Sequence, residues 1–376
     1  MFGKLGLGSN RRTKVAPSRE VADAERRVRG RGATDPKSWQ QLAQVCTDAR
    51  DLQRAFEAWR KVADFRPDDA EIALECGVAA RKAGAIPEAI DYFSRCLALA
   101  PDLPEAHTQY AKALDLAGLY EDAVSHHHRS LELDPDSAAG HYHLGVTYAR
   151  NGLDDLATES YGAALEINPD FARARGNLGV VLDRQGEFDG AVSELRKAVR
   201  LEPDRAEWHS NLGALYGEHK HYDEAIEEFE TALSLDPDNT EARFNLGIAY
   251  LDRGRLEDAI EELRRATNLA PDSSQAFYYL GEAYRKKGLY DRAVREIRSA
   301  LELSPDDARC YYSLGCVYNK MDSVVEAITA FERAIALDPT NGRAYYHLGM
   351  AYDKRGASEE AMGAYRRSEE LLARLS

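Results

Sequence analysis

Proline recurs at one fixed interval along most of this chain of 376 residues. Nine prolines lie 34 residues apart without a single insertion or deletion: Pro67, Pro101, Pro135, Pro169, Pro203, Pro237, Pro271, Pro305 and Pro339. Self-similarity at a fixed period of this size is typical of arrays of stacked helical repeats. The spacing therefore predicts ten tandem repeats over 36–375 after a leader over 1–35, which leaves almost no room for a catalytic domain.

Each repeat carries the signals of two helices. With the positions of a repeat numbered 1–34 from Pro36, apolar residues recur at positions 4, 7, 8 and 11 and again at 20, 24 and 27. This is the spacing of one face of a helix, so we expect a helix A and a helix B in every repeat. Position 8 is always Gly or Ala, which predicts a close approach of helix B at that point.

The helix ends are predicted as well. Glycine occupies position 15 in seven repeats, where it favours the left-handed residue that ends helix A. The proline at position 32 predicts the end of helix B. The residue after it is Asp, or once Thr340, and we expect it to cap the next helix A.

The apolar and glycine positions together match a known family pattern. Repeat six, over 206–239, carries the pattern at these residues: Leu212, Gly213, Tyr216, Ala225, Phe229, Ala232 and Pro237. The chain resembles the tetratricopeptide repeat family over 36–375, with a Leu-Gly pair at positions 7 and 8 in repeats four to ten and more degenerate repeats one to three. The resemblance implies an all-α, right-handed superhelical solenoid of helix–turn–helix repeats.

Charge is unevenly distributed along the chain, whose net charge is −15. The leader has nine basic and four acidic residues, whereas the remaining residues have 40 basic and 60 acidic ones. Phosphate neutralisation needs clustered cations, so the acidic repeats argue against nucleic-acid binding. The leader is predicted to be a flexible segment with a short helix near 19–28, and an arm that contacts a membrane surface or a nucleic acid is the alternative.

Cysteine usage and hydropathy both favour the cytoplasm. The five cysteines are an odd number without a disulfide framework, which indicates a reducing compartment. No run of apolar residues approaches the ~18 that a membrane helix needs. The leader has neither the apolar core nor the cleavage site of a secretory signal.

The strongest sequence candidate for a catalytic or metal-binding site is the run of three histidines, His126, His127 and His128. Successive helical residues point about 100° apart, so adjacent histidines cannot converge on one ion. His107 and His141 occupy position 4 and could approach the same repeat junction, but no metal-ligand spacing accompanies them. We therefore expect no catalytic residues, no metal and no cofactor.

The resemblance implies a binding face on helix A. In the family this face lines a concave groove that receives an extended or helical peptide, and positions 2, 6, 9 and 13, flanked by position 5, would form it here. Asn177, Asn211 and Asn245 occupy position 6 of repeats five to seven. They resemble an asparagine ladder that grips a peptide backbone, although a merely solvated helix face would also accept asparagine.

Aromatic and basic residues follow the same face toward the C-terminus. Position 5 of repeats seven to ten holds Phe244, Tyr278, Tyr312 and Tyr346, with Tyr279 beside Tyr278; these rings either line the groove or belong to the core. The basic residues of repeats eight to ten on this face are Lys286, Arg309, Lys320, Arg343 and Lys354. Since repeats six and seven are acidic at the same positions, an acidic partner is predicted for the C-terminal half of the groove.

The sequence thus predicts a non-enzymatic, monomeric, cytoplasmic adaptor that binds one or more proteins through their extended or helical segments. The use of 37 Arg against 12 Lys is typical of a GC-rich bacterium, which suggests a signalling or assembly complex there. Two alternatives stay open. The chain could be a regulatory or substrate-binding subunit of a separate enzyme such as a glycosyltransferase, or a membrane-surface assembly factor that uses the basic leader.

Overall fold

The computed structural model of the chain describes residues 19–29 and 34–373. The regular structure in these ranges is helical throughout, and it divides into two compact units. We call Arg12–Glu202 the N-terminal unit and Pro203–Ser376 the C-terminal unit, and describe each by itself. Most of the leader, 1–18 and 30–33, lies outside the described residues, and so does the end of repeat ten.

The N-terminal unit holds one leading helix and five A–B hairpins. Its helices are α1 (Arg19–Arg29), α2 (Pro36–Asp48), α3 (Leu52–Phe65), α4 (Ala70–Ala83), α5 (Ile86–Leu99), α6 (Pro104–Leu116), α7 (Tyr120–Leu133), α8 (Ala138–Arg150), α9 (Asp154–Ile167), α10 (Ala172–Arg184) and α11 (Phe188–Leu201). Helix α1 buries Val21, Ala24 and Val28 in the core that α2 and α3 also form. It thereby covers the apolar face that repeat one would otherwise expose.

The C-terminal unit continues with five more hairpins. Its helices are α12 (Ala206–Glu218), α13 (Tyr222–Leu235), α14 (Thr240–Arg253), α15 (Leu256–Leu269), α16 (Ser274–Lys286), α17 (Tyr290–Leu303), α18 (Ala308–Lys320), α19 (Val324–Leu337), α20 (Gly342–Arg355) and α21 (Ser358–Leu372). The predicted fold class is confirmed: in both units each helix B packs on its own helix A and on the helix A that follows within the unit.

Close approach at position 8 holds each hairpin together. A Cβ atom added to Gly281 would lie 2.5 Å from Ile297 Cγ1, and one added to Gly213 would lie 2.9 Å from the Phe229 ring. The partner in each case is the residue at position 24 of helix B. A real Cβ cannot occupy such a space without moving a well-packed side chain, so glycine there lets the helices meet.

The residue at position 15 has positive φ in every repeat. The seven glycines there have φ between 73° and 83°. The three repeats without glycine place Arg50, Lys220 and Asp322 at this position, with φ of 56°, 65° and 56°. A side chain in the left-handed region costs roughly 1–2 kcal/mol, so these three turns are strained.

The capping prediction was wrong by one residue. The residue that caps helix A is at position 34 and not at position 33, because the proline and position 33 form a turn and the extended residue that precedes the helix is the next one. Side-chain caps of helix A are made by Asp35, Asp69, Ser137, Asn239, Ser273, Asp307 and Asn341.

Relief of the strained turn should stabilise the protein. We expect Lys220→Gly to stabilise the C-terminal unit by about 0.5–1 kcal/mol, because the removed strain exceeds the added entropy of the unfolded glycine. Gly254→Ala should destabilise it by about 1 kcal/mol, since a Cβ there meets no atom within 4 Å and only the backbone strain acts. Urea midpoints of the two variants that move in the same direction would contradict this account.

The close approach can be tested by alanine substitution at two kinds of glycine. Gly247→Ala places a Cβ 2.6 Å from Leu263 Cγ and 3.3 Å from the Leu263 backbone nitrogen, so overpacking of about 1–3 kcal/mol should outweigh the gain in helix propensity. Gly363→Ala is the control: a Cβ there meets nothing within 4 Å, and stability should rise by up to about 1 kcal/mol. Equal stabilisation of both variants in chemical denaturation would contradict the close approach.

Candidate peptide-binding groove

A continuous layer of A helices forms one face of each unit. In the N-terminal unit α4 contacts α6, α6 contacts α8 and α8 contacts α10; in the C-terminal unit α12, α14, α16, α18 and α20 contact one another in sequence. Side chains at corresponding positions of successive A helices therefore form rows across the face. We call this face the groove of each unit.

The aromatic row at position 5 changes from buried to exposed along the C-terminal unit. Phe244 is only 1% exposed and meets Tyr279 edge-on, with ring centroids 5.5 Å apart. Tyr278 and Tyr312 are half-buried, and Tyr346 is 49% exposed. The prediction that Phe244 lines the groove is therefore wrong, because Tyr279 of repeat eight covers its ring. Tyr346 is the most exposed ring of this row.

The three asparagines at position 6 are not equivalent. Asn177, in the N-terminal unit, directs its Nδ2 toward the hydroxyls of Tyr142 and Tyr161, both at 3.4 Å. In the C-terminal unit Asn211 is half-buried, whereas Asn245 is only 2% exposed and its Oδ1 has no hydrogen-bond partner. Burial excludes Asn245 from direct contact with a bound segment in this conformation.

Three of the predicted basic residues form hydrogen bonds or ion pairs within the chain. Arg309 forms a two-pronged ion pair with Asp307, at 3.1 Å from Nε and 2.7 Å from Nη2. Lys286 Nζ donates to the Leu251 carbonyl at 3.4 Å, and Lys354 Nζ donates to the Asn319 carbonyl and to Asp322, both at 2.7 Å.

The other two basic residues, Lys320 and Arg343, are exposed. Within the described residues, no carboxylate lies at ion-pair distance from either one. They share this with Lys286, whose contact is a neutral carbonyl, but unlike Lys286 they have no hydrogen bond within the described residues.

The structure adds three groove residues that sequence reasoning missed. His347, at position 6 of repeat ten, is half-buried with its ring centroid 5.8 Å from that of Tyr312 and 5.6 Å from that of Tyr346. Burial lowers the pKa of His347, and the positive charges of Arg285, Lys320 and Arg343 lower that pKa further. Position 6 was already on the predicted groove face, so this histidine could have been found; Arg285, at position 12, lies outside the positions considered.

Cys316 is the third addition, and its surroundings are not those of a reactive thiol. It lies at position 9 of repeat nine and interacts with the Tyr312 hydroxyl. Burial raises the pKa of Cys316, although the Tyr312 hydrogen bond and the charge of Arg285 act in the opposite direction. At neutral pH the thiol is therefore protonated, which suits a packing residue rather than a nucleophile.

Histidine at position 4 has a structural role. Its ring bonds to the carbonyl of the proline that ends the preceding helix B, as His107 does to Pro101 at 2.9 Å and His141 does to Pro135 at 3.2 Å. Arg175 and Arg243 donate to Pro169 and Pro237 in the same way. Within 19–29 and 34–373, no three His, Cys, Asp or Glu side chains are placed to hold a metal ion.

His127 takes the position-24 place that a large apolar side chain holds in the other repeats. It is 1% exposed; its Nε2 lies 3.3 Å from Thr147 Oγ1, and its Nδ1 has no partner. Burial lowers the pKa of His127 to about 3, and the charges of His143, Lys112, His128 and His126 act in the same direction. The ring is therefore neutral wherever the repeat is folded.

This burial predicts loss of stability in mild acid. The folded pKa lies below the unfolded one, so the unfolded chain binds more protons and stability falls as the pH drops from about 6.5 toward 3. Between pH 7 and pH 5, His127 alone should remove about 2 kcal/mol. We expect His127→Leu to reduce the pH dependence of the urea midpoint by about that amount; the same pH dependence in variant and wild type would contradict the assignment.

The fold defines a class: a tandem helix–turn–helix repeat protein whose A helices line one face of each unit. Sequence comparison gives the family. Models of the tetratricopeptide repeat match residues 42–104, 108–170, 155–215, 218–278, 308–341 and 330–362, and a model of the TPR repeat matches 281–322. The chain belongs to the tetratricopeptide repeat family, as its sequence predicted.

Solved structures show similar stacks of helices. The chain is 32% identical to MamA, with 43% of this chain and 95% of MamA covered and a TM-score of 0.41. It is 24% identical to YrrB, described as a TPR protein with an unusual peptide-binding site, with 50% and 96% covered and a TM-score of 0.45. It is 17% identical to a chain of the APC/C hetero-tetramer Cut9–Hcn1, with 84% and 76% covered and a TM-score of 0.53, which is a likeness of fold. No curated protein matched the chain.

Proposed function

We propose that this protein is a non-catalytic adaptor that binds an acidic protein segment in the groove of its C-terminal unit. One observation carries the proposal: Lys320 and Arg343 are exposed cations without a carboxylate partner, and they lie near the half-buried ring of His347. Charges held this way gain from an incoming anion without first having to break an ion pair.

The ring of Tyr346 extends the proposed site with apolar surface. It is 49% exposed, and it is held by contacts with His347 and Tyr365 whose ring centroids are each 5.6 Å away. A tyrosine fixed by its neighbours supplies contact area at little cost in conformational entropy. The proposed ligand therefore pairs carboxylates or phosphoryl groups with an apolar side chain that packs on this ring.

Further groove residues would hold the backbone of a segment. Asn211 in the C-terminal unit is half-buried on the groove face, and Asn177 occupies the same position in the N-terminal unit. An amide can both donate to and accept from a peptide group, so it would bind the backbone irrespective of its sequence. We propose each asparagine as a backbone contact for a segment on the groove of its own unit, and assign the specificity in the C-terminal unit to Lys320 and Arg343.

A cytoplasmic location fits the side-chain chemistry. The five cysteines are free thiols, four of them buried, which suits a reducing compartment. None of the helices in the described ranges is long and apolar enough to cross a membrane. We propose that the adaptor acts in a bacterial signalling or assembly complex; a partner that proves to be an enzyme would make the chain its regulatory or substrate-binding subunit.

Reversal of the two free charges is the direct test. A partner is first identified by proximity labelling in cells with the intact chain, and its binding kinetics are then measured with purified proteins. The double variant Lys320→Glu, Arg343→Glu should slow association by about tenfold or more at low salt and remove most of its salt dependence.

The control is Arg264→Glu together with Arg366→Glu. These two exposed arginines lie on the B helices α15 and α21 of the same unit, so the control makes the same change in net charge away from the groove. Its association rate should stay within about twofold of the wild type. A partner that binds both double variants with equal kinetics would refute the groove of the C-terminal unit as the site.

A further inference from the structure

A second group of basic side chains lies on the groove of the N-terminal unit. Arg81 and Lys82 end helix α4, Lys112 is at position 9 of α6, and His143 is at position 6 of α8. These three helices are successive members of the A layer, with α4 in contact with α6 and α6 in contact with α8. These basic side chains therefore extend across the groove face of repeats two to four.

Contacts within the group leave Lys112 without an acidic partner. Arg81 Nη2 donates to Gln109 Oε1 at 2.9 Å, and Gln109 Nε2 donates to the Glu105 carboxylate at 2.6 Å. The Gln109 side-chain amide therefore bridges Arg81 and Glu105. Lys112 Nζ lies 3.4 Å from His143 Nε2, and no carboxylate of the described residues lies at ion-pair distance from it. A half-buried ammonium thus rests on a neutral imidazole.

The surroundings of Lys112 and His143 lower their pKa values and so disfavour their positively charged forms. Burial lowers the pKa of Lys112 to about 8; Arg81 and Lys82 contribute to this, and Glu105 opposes it. Burial lowers the pKa of His143 to about 4, and Lys112, Arg81 and Arg173 act in the same direction. The deeper neighbour His127 is neutral for the same reasons. An anion placed here would remove the cost of holding these charges together.

The same pattern recurs six repeats later, which gives an internal comparison. Arg285 and Lys286 stand where Arg81 and Lys82 do, and His347 stands where His143 does. In the C-terminal unit Glu282 neutralises Arg285 through two hydrogen bonds of 2.9 Å and 2.7 Å.

The N-terminal unit lacks both features that reduce the charge in the C-terminal one. Val78 occupies the place of Glu282, and Lys112 occupies the place of Cys316. At these two positions the N-terminal unit therefore has one carboxylate fewer and one ammonium more. At positions 2 and 6 it carries Glu71, Glu75 and Glu105 where the C-terminal unit has Gln275, Tyr279 and Arg309.

We propose that Arg81, Lys112 and His143 form an oxyanion site on the groove of the N-terminal unit, which takes a carboxylate or phosphoryl group carried by a bound protein segment. This inference rests on the proposed function, since it treats the groove as the surface that receives protein segments. The Lys112 ammonium donates to the oxyanion, and His143 Nε2, released from Lys112, either accepts from the segment or takes up a proton and donates to the anion.

The chemistry gives the site a characteristic pH dependence. The oxyanion requires protonated Lys112, so binding should weaken as the pH rises through about 8. The negative charge of the bound anion should raise the pKa of the His143 imidazole and so favour uptake of a proton from solvent. A purely structural role of Lys112 would produce neither change.

The experiment uses the intact chain and two small probes, inorganic phosphate and acetate, at constant pH 7.5 and constant ionic strength made up with chloride. Histidine ring resonances are recorded by NMR, with those of His143 and His347 assigned from His143→Gln and His347→Gln variants. We expect phosphate to shift the His143 signals saturably, and Lys112→Gln to weaken this binding by about tenfold.

Matched variants distinguish the effect of the charge at position 112 from the effect of a change in net charge. Lys112→Arg keeps the charge and should retain binding, and Lys61→Gln, which removes an exposed lysine on α3, should not change it. Saturation by phosphate alone assigns a phosphoryl ligand, and saturation by acetate as well assigns a carboxylate. No saturable shift at His143, or one unaffected by Lys112→Gln, overturns the proposal.

Failure of this proposal is distinguishable from failure of the proposed function. The titration needs no partner protein, and the double variant Lys320→Glu, Arg343→Glu should leave the response of His143 unchanged because those residues belong to the other unit. A shift confined to His347 would keep the groove of the C-terminal unit and refute the site in the N-terminal one.

Discussion

The contact between position 8 of helix A and position 24 of helix B determines how closely each hairpin closes. Where position 8 is glycine, the partner side chain lies within 3 Å of the space that a Cβ would fill, as for Gly315 with Phe331. Such packing fixes the distance between the two helices and, because helix B also packs on the next helix A, the position of the following repeat. The groove is a consequence of this contact, since it is the face that the A layer leaves open.

Repeat three shows what happens when this contact changes. Position 8 is Ala111 and position 24 is His127, so an added methyl group faces a smaller ring. The exchange preserves packing but buries an imidazole whose Nδ1 has no partner. The same region carries the basic side chains around Lys112, and burial of His127, together with the charge of Lys112, lowers the pKa of its ring. Repeat three thus combines an altered packing contact with a buried, neutral histidine next to basic side chains.

The repeat spacing predicts the helices, their pairing and the family, because these depend on residues that recur in every unit. It predicts the groove less well, because exposure at a groove position depends on the neighbouring repeat. Phe244 and Tyr346 share position 5, yet Tyr279 covers the first ring, whereas the second is 49% exposed. Ion pairing also depends on the local sequence, since Arg309 pairs with Asp307, whereas no carboxylate of the described residues pairs with Arg343.

The array has a strongly acidic sequence, but binding would be governed by charges that lack partners rather than by net charge. The contrast between Arg285 and Arg81 shows this, because a single carboxylate at position 9 decides whether the arginine at position 12 is neutralised. Histidine at position 6 adds a further property, since His143 and His347 are both neutral in the free protein and both lie beside cations. An anion that binds there lowers the cost of protonating the imidazole. Ligand binding and proton uptake are then coupled through the same side chain, so a partner's affinity should change with pH even where the partner itself does not titrate.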